Sequence, residues 1–199
     1  MLADEDPTVR LLVGDIGFRI FDDFVREHPS YFINCGIAEQ NMIGCAAGMA
    51  SAGLKVFVYT ITPFLTMRAY EQIRVDVGIN CANIVLVGVG AGLAYDKLGP
   101  THHAYEDLAL MQSIPSLKVY TPYDGPSTSK AIIKSYNRLE KEPSYVRLSK
   151  GGEPTINMQC FNSNIDKWSN SQSPDFVIVT HGSITSRFTD KQLGNNIKI

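Results

Sequence analysis

The residues best placed for chemistry sit at seams between short apolar runs. Glu39 lies in Gly36-Ile37-Ala38-Glu39-Gln40-Asn41-Met42-Ile43-Gly44, with strand-like Tyr31 to Asn34 before it and a small-residue helical segment to about Ala52 after it. A carboxylate between a strand end and a helix start stands where open α/β sheets place their ligands. An acid in a first helical turn is also favoured by the helix dipole, so a helix-start charge explains it too. Asp15 closes the run Val9 to Val13 in Gly14-Asp15, a ligand-facing strand end or a turn-forming aspartate. His102 and His103 end a glycine-rich loop. Imidazole can relay a proton or stabilise a developing alkoxide, or simply serve as a hydrogen-bonding spectator.

The elements that must carry these residues are legible in the hydrophobic pattern. Val9 to Val13 reads as a buried strand. Phe21, Phe24 and Val25 give helical spacing over Phe18 to Glu27, which Pro29 stops. The helix after Glu39 is expected to end at Gly53. Lys55 to Thr60 is β-rich. Pro63 suits the first turn of a helix reaching about Val77. Asn83 to Gly88 has the continuous apolar character of a strand buried on both faces. Gly88, Gly90, Gly92 and Gly99 form a loop before a short helix, Glu106 to Ser113, and a strand, Leu117 to Tyr120. Asp124 to Lys141 is the longest predicted helix, capped by Asp124 or Ser127, with Ala131, Ile132, Ile133, Tyr136 and Leu139 as its apolar face. Tyr145 to Leu148 is the last strand of this unit. Strands separated by helices predict an α/β fold, a doubly wound and mostly parallel sheet with helices on both faces. Residues 1–151 make this domain, 152–174 a polar linker rich in Asn and Ser, and 175–199 the start of another domain, opening with the strand Asp175 to Thr180.

Composition excludes several classes. With 199 residues, 44% of them hydrophobic, the chain is an ordinary globular one. A net charge of -2 without a basic run gives no nucleic-acid surface. Met1 to Pro7 is acidic rather than basic-then-apolar, so no secretory leader is expected. Met42 to Ala52 falls short of the ~20 residues a membrane span needs. Cys35, Cys45, Cys81 and Cys160 fit no zinc spacing and are expected as buried free thiols of a cytoplasmic protein.

The stretch "YFINCGIAEQNMIGCAAGMA" resembles the transketolase family, in the domain that binds the aminopyrimidine ring of thiamine diphosphate. "RAYEQIR", "GPTHHAYEDLALMQSIPSLKVYTP" and "PSYVRLSKG" continue the resemblance in family order, over roughly Leu11 to Gly151. The same domain type occurs in 1-deoxyxylulose-5-phosphate synthase and in the β part of 2-oxoacid dehydrogenases. The resemblance implies that Glu39 hydrogen-bonds the pyrimidine nitrogen from a desolvated site that raises its pKa. It implies that Phe64 stacks on the ring, although a core phenylalanine would look the same, and that Tyr59 and Tyr70 line the same pocket. It places Asp15 near the cofactor or the partner domain. Arg68 would orient substrate or partner, or form only a surface salt bridge. His102 of "GPTH" would point at the substrate, and His103 stands where relatives often have Gln. Arg147 and Lys150 would meet a substrate phosphate, the lysine as a point charge without the bidentate fork; a solvated basic pair is the alternative.

Three departures bear on function. Leu98 stands where sugar-handling relatives carry an aspartate, and Asp96 lies two residues further back. Gly90 replaces a basic or polar residue of some relatives. The family's Gly-Asp-Gly element for the diphosphate and Mg²⁺ is missing, since Gly14-Asp15 continues into Ile16. The expectation is therefore a split, transketolase-like transferase. A separate subunit would hold the diphosphate and Mg²⁺, and Gly44 to Ala52 would be a contact face. The reaction implied is transfer of a two-carbon ketol unit from a ketose-type donor to an aldehyde acceptor. A component like deoxyxylulose-phosphate synthase or the dehydrogenase β part, and a truncated, non-catalytic interaction paralogue with exposed apolar surface at Val177 to Val179, are the alternatives.

Overall fold

The computed structural model describes residues 2–137 and 142–151, with a few isolated positions and two-residue strands beyond them. Six strands form one sheet: β1 (Val9–Val13), β2 (Phe32–Asn34), β3 (Lys55–Ile61), β4 (Ile84–Val89), β5 (Lys118–Tyr120) and β6 (Ser144–Arg147). Their order is β2-β1-β3-β4-β6-β5, and every pairing is parallel. The central strands β3 and β4 are buried almost throughout, which is why "KVFVYT" and "NIVLVG" show no polar alternation. The edge strands β2 and β5 are only partly covered.

Helices cover both faces, as doubly wound sheets require. On one face pack α3 (Glu39–Ser51), the segment from Phe64 to Ile79, and α5 (Asp107–Gln112), through Met42, Ile43, Leu65, Ile73 and Met111. On the other pack α1 (Leu2–Glu5), α2 (Asp22–Glu27) and α6 (Gly125–Tyr136), through Ala3, Phe24 and Ala131. The chain steps from β1 outward to β2, then back across to β3. The crevice between the carboxyl ends of β1 and β3 is thus a topological switch point, the place where such sheets bind ligands.

Three predicted elements differ in detail. The helix expected from Phe18 begins only at Asp22. Gly17 and Arg19 hold φ of 95° and 67°, and this left-handed turn cannot belong to a right-handed helix. The helix after Pro63 is not a uniform α-helix. A π turn (Phe64–Arg68), a short α4 (Tyr70–Gln72) and a second π turn (Ile73–Ile79) follow one another, and π turns recur at functional sites. In α6, Ile133 is half exposed and Ser135 is buried in its stead, because Ile133 points about 200° away from Ala131 at ~3.6 residues per turn. Leu139 lies outside the described residues.

Gly53 follows α3 at φ 92°, the expected C-terminal position. Asp124 caps α6 with Ser127 in a reciprocal capping box, so both predicted cap residues take part. The domain boundaries read from sequence fall mostly outside the described residues. Within the linker stretch, Gln159–Cys160 pairs antiparallel with Asp166–Lys167. Beyond it, Phe176–Val177 pairs with Ile197–Lys198. No helix among the described residues is long and apolar enough to cross a membrane. Replacing Asp124 by Ala removes the cap and is expected to cost ~1 kcal/mol. Urea denaturation would show this as a lower midpoint with an unchanged slope.

Candidate functional site

At the carboxyl edge of β1 and β2, two loops are tied together before the chain turns into α3. The Asn34 side chain accepts from the Asp15 and Gly36 backbone N–H groups at 3.2 and 2.9 Å and donates to the Asp15 carboxylate at 3.1 Å. Asp15 is exposed and has φ of 54°, so its visible work is in this turn. The lock aims the chain so that Glu39 becomes the first residue of α3. The preceding Ala38 supplies no side-chain cap, which leaves Glu39 as the acid at the positive end of the helix dipole. Its side chain is only 1% exposed, and its Oε2 accepts from Nη1 of Arg68 at 2.7 Å.

From this pair a row of side chains runs along the sheet edge. The Arg68 guanidinium carbon lies 4.2 Å from the ring centroid of Phe64, a cation–π contact. Phe64 meets His102 edge-on at 5.0 Å between ring centroids, and His102 meets Tyr95 at 6.2 Å. The Lys150 ammonium then lies 5.2 Å from the Tyr95 ring. The order is therefore Glu39, Arg68, Phe64, His102, Tyr95, Lys150, from four separate loops and helix starts. Hydroxyls on the strand ends fix the frame beneath. Thr62 Oγ1 donates to the Val89 carbonyl at 3.0 Å, joining the ends of β3 and β4, and Thr66 Oγ1 donates back to the Thr62 carbonyl at 2.9 Å.

Several expected members are elsewhere. Arg147 does not present a free guanidinium. Its Nε and one Nη donate to Asp107 at 2.7 and 3.2 Å, and Tyr145 Oη donates to the same carboxylate at 2.8 Å. Asp107 is fully buried, and a buried charge that is not paired is costly, so this arginine is committed to the fold. Burial, followed by the Asp107 charge, drives the Tyr145 phenol well above the usual tyrosine range.

Tyr59 does not join Glu39 and Phe64. Strand side chains alternate, so Tyr59 shares the α2 side of the sheet with Phe57, and it meets Phe21 edge-on at 5.0 Å. There it lines an apolar cavity of about 640 Å³ with Phe21, Phe24, Val87 and Tyr123. Glu39, Phe64 and His102 do not line this cavity, but Lys150, at the far end of the row, does. Burial, and secondarily the Tyr95 phenol, pushes the Tyr59 pKa up to about 12.

Tyr70 is tied to Ser113 Oγ at 2.8 Å. His103 turns from the row, with Nε2 3.2 Å from the Asp96 carbonyl and its ring against Tyr105. The Asp96 carboxylate accepts from the adjacent Lys97 N–H at 2.8 Å. Leu98 is exposed. Cys35 is partly buried, which raises its thiol pKa, but Cys45 and Cys81 are exposed, against the expectation of buried thiols. Among the described residues, Asp4, Glu27 and His28 cluster closely enough to share a cation. They flank the amino ends of β1 and β2, at the opposite end of the sheet.

Sequence reasoning missed two residues. Tyr95 links His102 to Lys150, and its ring fills the space over Gly90. Gly90 has φ of 80°, and a Cβ there would approach the Tyr95 ring to 2.0 Å. The signal was present: a glycine where relatives carry a larger residue, five positions before an aromatic. Asp107 was hidden because an acid at a helix start looks exposed until the strand beneath it is known.

An open parallel sheet with an acid and an aromatic row at its switch point defines a ligand-binding α/β domain. The transketolase pyrimidine-binding-domain family matches residues 1–154, and the chain belongs to that family. One subunit of the apulose-4-phosphate transketolase of Phocaeicola vulgatus is 35% identical over 158 residues, covering 78% of this chain and 49% of that protein. The 1-deoxy-D-xylulose-5-phosphate synthase of Clavibacter sepedonicus is 31% identical over 191 residues, covering 93% of this chain and 28% of that one. Among solved structures, a split-gene transketolase described as an inactive beta4 tetramer superposes with a TM-score of 0.77 at 31% identity, over 94% of this chain and 60% of that one. The chain spans about half the length of curated relatives that it matches, or less.

Two outcomes test these assignments. Arg147→Met leaves Asp107 unpaired and is expected to lower stability by ~3–5 kcal/mol, whereas Lys150→Met changes it by no more than ~0.5 kcal/mol; chemical denaturation measures both. Tyr59 is a group whose folded pKa lies above its unfolded value near 10, so its contribution to stability is complete below pH 10 and lost as pH rises through about 12. Tyr59→Phe should lessen the fall in stability across that window.

Proposed function

We propose that the chain is the pyrimidine-binding subunit of a split, cytoplasmic, thiamine diphosphate-dependent transketolase-like enzyme. The observation that carries the proposal is a carboxyl group 1% exposed at a sheet switch point, within one arginine of an aromatic ring face. A flat heteroaromatic ring with a basic nitrogen needs those two surfaces together. Glu39 would take the ring nitrogen and Phe64 one ring face, so the donor set fits an aminopyrimidine. When bound, thiamine diphosphate supplies a carbanion centre for carbon–carbon bond cleavage and formation. The protein's part is orientation and proton placement. Glu39 holds the proton shared with the ring nitrogen. His102, set edge-on to Phe64, gives or takes a proton at a substrate hydroxyl. Lys150, exposed at the far end of the row, suits a phosphate on a ketose donor or aldehyde acceptor; the relative from Phocaeicola vulgatus is named for such a sugar phosphate.

The diphosphate and Mg²⁺ belong, on this proposal, to a second subunit; the naming of the Phocaeicola vulgatus relative as one subunit and of the solved structure as a split-gene transketolase supports this reading. The exposed apolar side chains Phe18, Ile20 and Ile37 and the open Gly44–Gly48 side of α3 supply a contact face beside the site. Residues 1–151 would form the pyrimidine domain, and 175–199 would open the family's next domain. In the assembled enzyme, where the diphosphate half of the site also holds the cofactor, Glu39→Gln is expected to retain thiamine diphosphate while turnover falls by ~10²–10⁴-fold. Turnover near the starting value would overturn the role of Glu39. Tight binding of thiamine diphosphate and Mg²⁺ by the chain alone would overturn the division between subunits.

A further inference from the structure

We propose that Arg68 is a built-in stand-in for the pyrimidine ring, closing the pocket in the free chain and swinging out when the ring enters. The inference rests on the pyrimidine reading of the site. Its basis is that one side chain occupies both surfaces the ring would need. The guanidinium is planar and carries N–H donors, one of which lies 2.7 Å from Glu39 Oε2. The same plane-bearing group lies over the ring of Phe64, at 4.2 Å from the centroid. A hydrogen bond to the carboxyl, through a proton shared with its ring nitrogen, and a flat partner for the phenyl face are what an aminopyrimidine would offer.

The two ends of the pair differ in how freely they move. Glu39 is almost wholly enclosed, but 43% of the Arg68 side chain is exposed. The arginine can therefore rotate towards water, where its charge is well solvated, while the carboxyl cannot follow. Leaving that carboxyl alone in a dry pocket is unfavourable. The arginine thus has reason to leave only as a ring nitrogen arrives to share a proton with the carboxyl. Arg147 supplies the contrast within the same domain. It grips Asp107 with two donors, is 15% exposed, and shares that carboxylate with Tyr145. Arg68 makes a single hydrogen bond to its acid and ends a π turn at the mouth of the site. The Arg147 pair is built to stay and the Arg68 pair to exchange.

An occupied pocket lowers apparent affinity by the fraction of molecules in which the arginine is already out. It also keeps the site shut to other flat cations until the partner subunit adds its share of cofactor binding. The test is titration of the full-length chain with thiamine, which lacks the diphosphate and so probes this half-site alone, followed by ligand-detected NMR. Wild type, Arg68→Met, Arg68→Lys and Glu39→Gln are compared, each checked for folding by circular dichroism. Arg68→Met is expected to bind thiamine about tenfold tighter than wild type. Arg68→Lys, which keeps the charge but loses the planar fork, should fall between them. Glu39→Gln should bind more weakly. In ¹⁵N-labelled wild type, the Arg68 side-chain resonance should move towards the free-arginine position as thiamine is added. Weaker or unchanged binding by Arg68→Met, with Glu39→Gln still impaired, would overturn the stand-in role and leave the pocket reading intact. No binding by any form, or full binding by Glu39→Gln, would overturn the pocket reading and the stand-in with it.

Discussion

An acid taken out of water must be given a partner, and this domain meets that demand twice on the same side of its sheet. Glu39 and Asp107 each begin a helix, each is almost entirely enclosed, and each holds an arginine. The consequences diverge with geometry. Asp107 collects two guanidinium donors and a phenol, and so clamps β6 to α5 and the glycine loop. Such a network is rigid because breaking any member leaves a buried charge exposed to a low dielectric. Glu39 has one donor from a half-exposed arginine, and the pair lies at the open crevice. One acid serves the scaffold, and the other, on our proposal, exchanges its arginine for a ligand.

The sheet order creates that difference in setting. Because β1 lies between β2 and β3, the chain leaves the carboxyl end of β1 in one direction and that of β3 in the other. The backbone parts there, and side chains from the two loops can converge without competing for the same space. Asn34 and Asp15 tie the ends of β2 and β1 with mutual hydrogen bonds, Thr62 holds the ends of β3 and β4, and Glu39 and Arg68 bridge the opening between them. The π turn after Pro63 carries Phe64 and Arg68 together into this opening.

The glycine loop that follows β4 sets the surface beside His102. A tyrosine ring stands over Gly90, between His102 and Lys150, and position 98 carries an exposed leucine. The wall beside the histidine is consequently aromatic and aliphatic where sugar-handling relatives are expected to be acidic. Membership in the family thus coexists with a local surface unlike the acidic one that the resemblance leads one to expect.

Strand positions, the capping box at Asp124, the Gly53 helix end and the placement of Glu39 were legible in the sequence, because each depends on local chemistry: apolar periodicity, side-chain caps, and backbone freedom. Phe64, Arg68 and His102 were legible as candidates through family motifs, but nothing local says that they touch. Tyr59, Arg147 and Asp107 were misread or missed for one reason. Which face a strand residue takes, and which acid waits opposite an arginine, depends on neighbours 29 and 40 positions away, as in the pairs Arg68 with Glu39 and Arg147 with Asp107. The sequence by itself determined the α/β class, the family and the acid at its centre, since those follow from short-range patterns. Only the tertiary structure decided which of two arginines is locked and which is free to move, because that depends on how many donors the fold brings to each buried acid and how much water reaches it.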